Sequence, residues 1–179
     1  MIPMRTHDAL ADLDDIGTFS VWKTSQHLIG LRRYSGLGLS VLTHSLALAA
    51  LFDDPEAKAW ALIHDCHEAI TGDIPGPVLQ WLRAHRPKSY QGISELQRDL
   101  DARFRRELGL EVSELTIAEV VYHDRLIRLP EERICFGTNE PYPEPWLLRA
   151  EADLRWYSER SAEQQIDEWE TRLRNLTCK

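Results

Sequence analysis

The chain has 179 residues, 43% of them hydrophobic and 28% charged, with a formal net charge of −8. This length and balance predict one soluble domain large enough to bury a core, and the acidic surplus argues against non-specific nucleic-acid binding through a basic surface. Cys66, Cys135 and Cys178 form no Cys-x-x-Cys pair and support neither a disulfide framework nor a zinc ribbon; with no apolar run near the ~20 residues of a membrane span and no signal-peptide core at the start, a cytoplasmic protein is expected.

The pattern reads as helical almost throughout. Thr24 to Arg33 is expected to form a short helix, followed by the break Ser35-Gly36-Leu37-Gly38. Ser40 can cap the next, whose Val41, Leu42, Ser45, Leu48, Ala49 and Phe52 follow helical spacing, with His44 on or beside the inward stripe. Asp54-Pro55 is a start signal, and the helix it opens is expected to run through Trp60 and His64 to about Ile70. The turn Ile74-Pro75-Gly76-Pro77 leads into a helix through Trp81 to Ala84, and Arg86 to Ser89 reads as a surface loop.

A long amphipathic helix is predicted over Ser94 to Leu108, closed by Gly109. Ser113 opens another that carries Leu115, Ala118, Val121, Tyr122, Leu126 and Leu129, and Pro130 need not end it at once. Thr138 to Pro143 is a loop, and the capping box Ser161 to Gln164 starts a last helix reaching Leu173. No stretch has a convincing β period. One all-α unit over 1–179 is the reading, with its motifs in about 26–131 and a helical extension over about 144–176. The extension's Trp146, Trp156, Tyr157 and Trp169 are expected to pack on the core or on a partner, which leaves a homo-oligomer open.

The chemistry concentrates in His64 to Asp73, where two histidines, two aspartates and a glutamate fall within ten residues after the apolar run Trp60 to Ile63. On one helix His64 and Glu68, four apart, share a face, and Asp65 and Glu68 are neighbours. Such groups at the end of a buried helix are costly unless paired, and a divalent metal suits adjacent imidazole and carboxylate. His44, His64, Asp65 and Asp124 together offer two imidazoles and two carboxylates with positions left for water and substrate. That mix suits Mn²⁺, Co²⁺, Fe²⁺, Ni²⁺ or Zn²⁺ better than Ca²⁺ or Mg²⁺, and a bound water would be acidified into a hydroxide nucleophile.

Taken singly, each of these residues has a plainer explanation. His44 alone is more often a hydrogen-bonded core histidine, His64-Asp65 a helix-end pair, and Asp124 an exposed ion-pair partner. Their joint placement shifts the balance. His7-Asp8 precedes any helical pattern and reads as surface, His27, His85 and His123 lack a ligand-like setting, and His67 is expected to be structural or at a pocket rim. Cys66 reads as a small core residue.

Histidine, then histidine-aspartate, then aspartate on successive helices resembles the HD-domain metal-dependent phosphohydrolases. The resemblance runs over Gln26 to Glu131. It is carried by Arg32 to Gly36, Ser40 to Leu46, Ala61 to Glu68 with Thr71 to Pro75, and Asp124-Arg125. The extended motif is similar to the branch of bacterial 5′-deoxynucleotidases and small phage nucleotide hydrolases, including phage dATP triphosphohydrolases. It implies an HD helical bundle with His44, His64, Asp65 and Asp124 as metal ligands. Glu68 would then orient or deprotonate the attacking water. Asp73 would act near the phosphate and leaving oxygen, or bind a second Mg²⁺ or Mn²⁺. Arg33 would contact phosphate, and Tyr34 would stack on base or sugar. Where the branch often has a phosphate-binding lysine, this chain has Leu79.

The implied activity is removal of phosphate from a deoxynucleoside 5′-monophosphate, in a bacterial or phage-infected cytoplasm. Release of triphosphate from a deoxynucleoside triphosphate is the nearest rival, and a nucleotide-binding module without turnover is the rival from another class. A small nucleotide is the expected partner; no nucleic-acid polymer and no membrane are expected.

Overall fold

The computed structural model describes residues 20–177. Its elements are α1 (Val21–Gly30), α2 (Val41–Ala49), α3 (Pro55–Ile63), α4 (Glu68–Thr71), α5 (Gly76–His85), α6 (Pro87–Glu107), α7 (Glu114–Phe136), α8 (Trp146–Ser158) and α9 (Ala162–Thr177). Among the described residues there is no strand, only one antiparallel bridge between Arg32 and Ser40. None of these helices is long and apolar enough to cross a membrane. His7, Asp8 and Cys178 lie outside the described residues.

The helix starts follow their caps. The side chains of Ser40, Asp54 and Ser113 accept from the backbone N–H three residues on, and Pro55 supplies a preset φ at the first turn of α3. Ser161 and Gln164 exchange reciprocal bonds of 3.0 and 3.2 Å, completing the box that opens α9. All nine residues of α2 are buried, so this helix is apolar nearly all round and forms the centre of the molecule. It packs against α1, α3, α8 and α9, while α7 lies across α3 and α8.

Four expectations need correction. The first helix begins at Val21, capped by Ser20, and stops at Gly30, because the backbone of Leu31 and Arg33 leaves to bond Val41 and Leu39. The helix begun at Asp54 ends at Ile63 instead of Ile70. Its apolar stripe runs out there, and the chain continues with i→i+3 bonds from Cys66 to Ile63, Glu68 to Asp65 and Ala69 to Cys66 before the single turn of α4. His64 and Glu68 therefore do not share one unbroken helix. Arg86 to Ser89 is no loop: Pro87 starts α6 at once, leaving Arg86 as the junction. The C-terminal extension is two helices divided near Glu159, and α8 was not resolved as an element by periodicity.

The extension belongs to the core. Leu147, Ala150, Leu154, Trp169 and Leu173 are fully buried, and the Trp169 indole N–H donates to the Leu62 carbonyl at 2.9 Å. Trp156, by contrast, is half-exposed. Pro130 sits inside α7 without ending it, and Gly137 closes the helix in the left-handed conformation.

Candidate metal centre

His44 lies midway along the buried helix α2. Its Nδ1 faces Glu131 Oε1 at 2.8 Å. A carboxylate only accepts, so Nδ1 carries a proton and Nε2 is the nitrogen left facing the other side chains. His64 caps α3, and its Nδ1 donates to the Ala61 carbonyl at 2.9 Å, which fixes the same tautomer. The two rings stand 5.5 Å apart. Both Nε2 atoms are buried and make no hydrogen bond.

Asp65 and Asp124 complete the group. His44 Nε2 is 3.1 Å from Asp124 Oδ1 and 3.8 Å from Asp65 Oδ2; His64 Nε2 is 3.2 Å from Asp65 Oδ2 and 3.7 Å from Asp124 Oδ1. The four residues offer ligand atoms all within 4.8 Å of one another. These separations bracket the roughly 3.4 Å edge of a tetrahedral shell built from bonds of about 2.1 Å. Two orphaned imidazole nitrogens facing two carboxylates are the chemistry a divalent transition metal satisfies, and the residues present fit one.

The charge balance points the same way. Burial works against the charged form of both imidazoles, and Arg33 also works against that of His44. Yet Glu131 and Asp124 hold His44 above its ordinary value, and Asp65 and Asp124 hold His64 well above it. Burial likewise opposes the charged form of Asp65 and Asp124, but the adjacent histidines keep both below the usual carboxylate range. The centre is rich in carboxylates, which favour positive charge on the two imidazoles.

Arg33 enters from the loop between α1 and α2. Its Nη1 donates to Asp65 Oδ2 at 3.2 Å, and its Nε lies 3.4 Å from Glu131 Oε2. Tyr34 donates its hydroxyl to the same Glu131 Oε2 at 2.9 Å and sets its ring edge-on to Phe136. The loop is conformationally strained: Tyr34 and Ser35 have φ of 55° and 57°, uncommon for residues other than glycine. Gly38 closes it, and a Cβ there would come 2.5 Å from the Tyr34 ring and 2.9 Å from the Arg33 carbonyl oxygen.

Glu68 is buried with Oε2 unpartnered. Burial, then the charges of Asp65 and Asp73, raise its pKa to about 9 against the pull of Arg33. Gly72, at φ 73°, ends α4 and is followed by Asp73, whose pKa is raised by burial in spite of Arg33. Asp73 lines a cavity of about 530 Å³ with Arg33, Tyr34, Gln80, Arg128 and Glu132. A cavity of about 380 Å³ at the C-terminal end of α2 contains none of these groups.

All four sequence-expected ligands therefore converge, with Arg33 touching one of them. Asp65, His67 and Glu68 form a second set whose ligand atoms lie within 4.8 Å of one another. His67 is fixed by Asp101 at 2.9 Å, the structural or rim role expected of it. His123 bonds the Glu119 carbonyl and packs on Phe52 and Trp146, away from the cluster. Cys66 is a core residue; burial, then the charges of Asp101, Asp65 and Glu68, keep its thiol well above the ordinary value and protonated.

Sequence reasoning missed Glu131, Asp101 and Arg128. Arg128 stands one turn after Asp124 along α7, and Glu131 stands seven residues after Asp124, two turns along and on the same side. That spacing was the available signal. Comparison of the chain with protein-family models, with curated proteins and with solved structures finds no match.

Proposed function

We propose that this chain is a divalent-metal phosphohydrolase of the HD kind that removes phosphate from a deoxynucleoside 5′-monophosphate. The observation that carries the reading is the pair of buried, unbonded Nε2 atoms on His44 and His64, converging with Asp65 and Asp124 beside an arginine-lined cavity. His44, His64, Asp65 and Asp124 would hold the metal. When bound, it supplies an acidified water and offsets the negative charge of phosphate oxygens.

The remaining roles belong to the chain itself. Arg33 already binds two carboxylates through Nη1 and Nε and offers its remaining N–H groups to a phosphate oxygen. Glu68 is buried and unpartnered at Oε2; raised to about 9 it holds a proton near neutral pH, and a cation bound beside it would lower that value and free the carboxylate to take a proton from the attacking water. Asp73, with its raised pKa, can carry a proton to the leaving oxygen. The cavity of about 530 Å³ lies within the roughly 300–1,000 Å³ of small-molecule sites and admits one nucleotide.

A triphosphohydrolase acting on a deoxynucleoside triphosphate is the second reading. Arg128 favours it, because a second cation lining the same cavity can meet a longer phosphate chain. A binding module without turnover has no use for the buried, unpartnered Glu68. The test is a panel of nucleotides incubated with the Mn²⁺- or Co²⁺-loaded chain. Release of phosphate from monophosphates supports the first reading and release of triphosphate the second. No release by chain with metal bound contradicts both.

A further inference from the structure

Glu131 is fully buried in α7, yet its carboxylate uses both oxygens on groups from other parts of the fold. Oε1 meets Nδ1 of the candidate ligand His44 at 2.8 Å. Oε2 takes the Tyr34 hydroxyl at 2.9 Å and lies 3.4 Å from Arg33 Nε. A buried carboxylate whose only task was to fill space would be costly, and an apolar side chain would serve better. Here Arg33 continues the chain of contacts to Asp65, so Glu131 reaches the cluster by two routes, directly at His44 and through Arg33 at Asp65.

We infer that Glu131 is a positioning residue that joins the metal centre to the anion-binding loop, holding the His44 tautomer with one oxygen and the Arg33–Tyr34 segment with the other. The inference rests on the metal-centre reading above. Outer carboxylates on ligating histidines orient the ring and raise its basicity. The Arg33–Tyr34 segment needs an anchor of its own, because Tyr34 and Ser35 sit at positive φ and would relax if released. One side chain thus sets both where a cation binds and where a phosphate oxygen is met.

The experiment titrates the full chain, stripped with chelator, first with Mn²⁺ alone and then with inorganic phosphate at saturating Mn²⁺. In Glu131→Gln, Mn²⁺ affinity should fall about 10- to 100-fold, and phosphate affinity at saturating metal should fall about fivefold or more, in the range of ordinary couplings between sites. Tyr34→Phe keeps the bond to His44, so its Mn²⁺ affinity should stay within about twofold while phosphate weakens. It also decides the loop half should Glu131→Gln fail to fold. Wild-type Mn²⁺ affinity in a folded Glu131→Gln overturns the inference, as does unchanged phosphate affinity in Tyr34→Phe. If the wild-type chain binds no Mn²⁺, the metal-centre reading itself falls, and the inference with it.

Discussion

Two of the cavities, one at the C-terminal end of α2 and one beside the Arg33–Tyr34 loop, differ in how the polar groups around them are bonded. The one at the C-terminal end of the helix is lined by Lys58, Arg149 and Arg172, an inviting set for an anion. Its arginines are already engaged: Arg149 donates to the Ala50 carbonyl at 2.7 Å, and Arg172 pairs with Glu168 at 2.7 Å. Those are ordinary devices for closing a helix end and bracing a helix face. Beside the other cavity, the Nε2 atoms of His44 and His64 and Oε2 of Glu68 are buried with no partner. Positive charge is common on protein surfaces; unsatisfied buried polar atoms are rare and expensive. Unpartnered buried atoms also occur singly elsewhere, at Trp60, Arg105, Asp153 and Arg160, so what distinguishes this end is that three of them gather beside Asp65 and Asp124.

The comparison breaks most sharply at the ligands. His64→Ala or Asp124→Asn should abolish turnover to background and weaken Mn²⁺ binding by more than about 100-fold, measured by calorimetry and product release. Next in size, Glu68→Gln should lower turnover about 10²- to 10⁴-fold while Mn²⁺ affinity changes only severalfold. A loss of metal as large as that of His64→Ala would recast Glu68 as a ligand.

Gly38→Ala tests the strained loop. The new Cβ must displace the Tyr34 ring and meet the Arg33 backbone, so the variant should lose about 1–3 kcal/mol in urea unfolding and show a raised KM with metal affinity nearly intact. Smallest of all, Arg172→Ala at the other cavity should leave metal affinity and turnover within about twofold, with a stability change of about 1 kcal/mol or less, as for a partly solvated i,i+4 pair. A large loss of activity there would mean that charge, after all, marks function.

Much of this was legible in the sequence where the signal is local. Ser40, Asp54-Pro55, Ser113 and Ser161 announced helix starts because a cap acts on its own next three residues. His44, His64, Asp65 and Asp124 were legible as a set because their order along the chain resembles a known metal-binding pattern, although Asp65 proves to lie in the turn after α3. Illegible features depend on distant partners. The i→i+3 turn after Ile63 carries side chains held by Asp101 and Arg33, which periodicity cannot register. Glu131 follows a proline and reads as a solvent-facing charge; only the approach of α2 and the Tyr34 loop reveals its three contacts. The start of α6 at Pro87 was hidden for a simpler reason, since arginine, proline, lysine and serine in a row carry no apolar stripe.

The most direct measurement is a calorimetric titration of the chelator-stripped chain with Mn²⁺ or Co²⁺, run in parallel on wild type and His64→Ala. The account predicts a tight transition-metal site in the wild-type chain that the variant lacks. Equal heats in the two, or none in either, would contradict it.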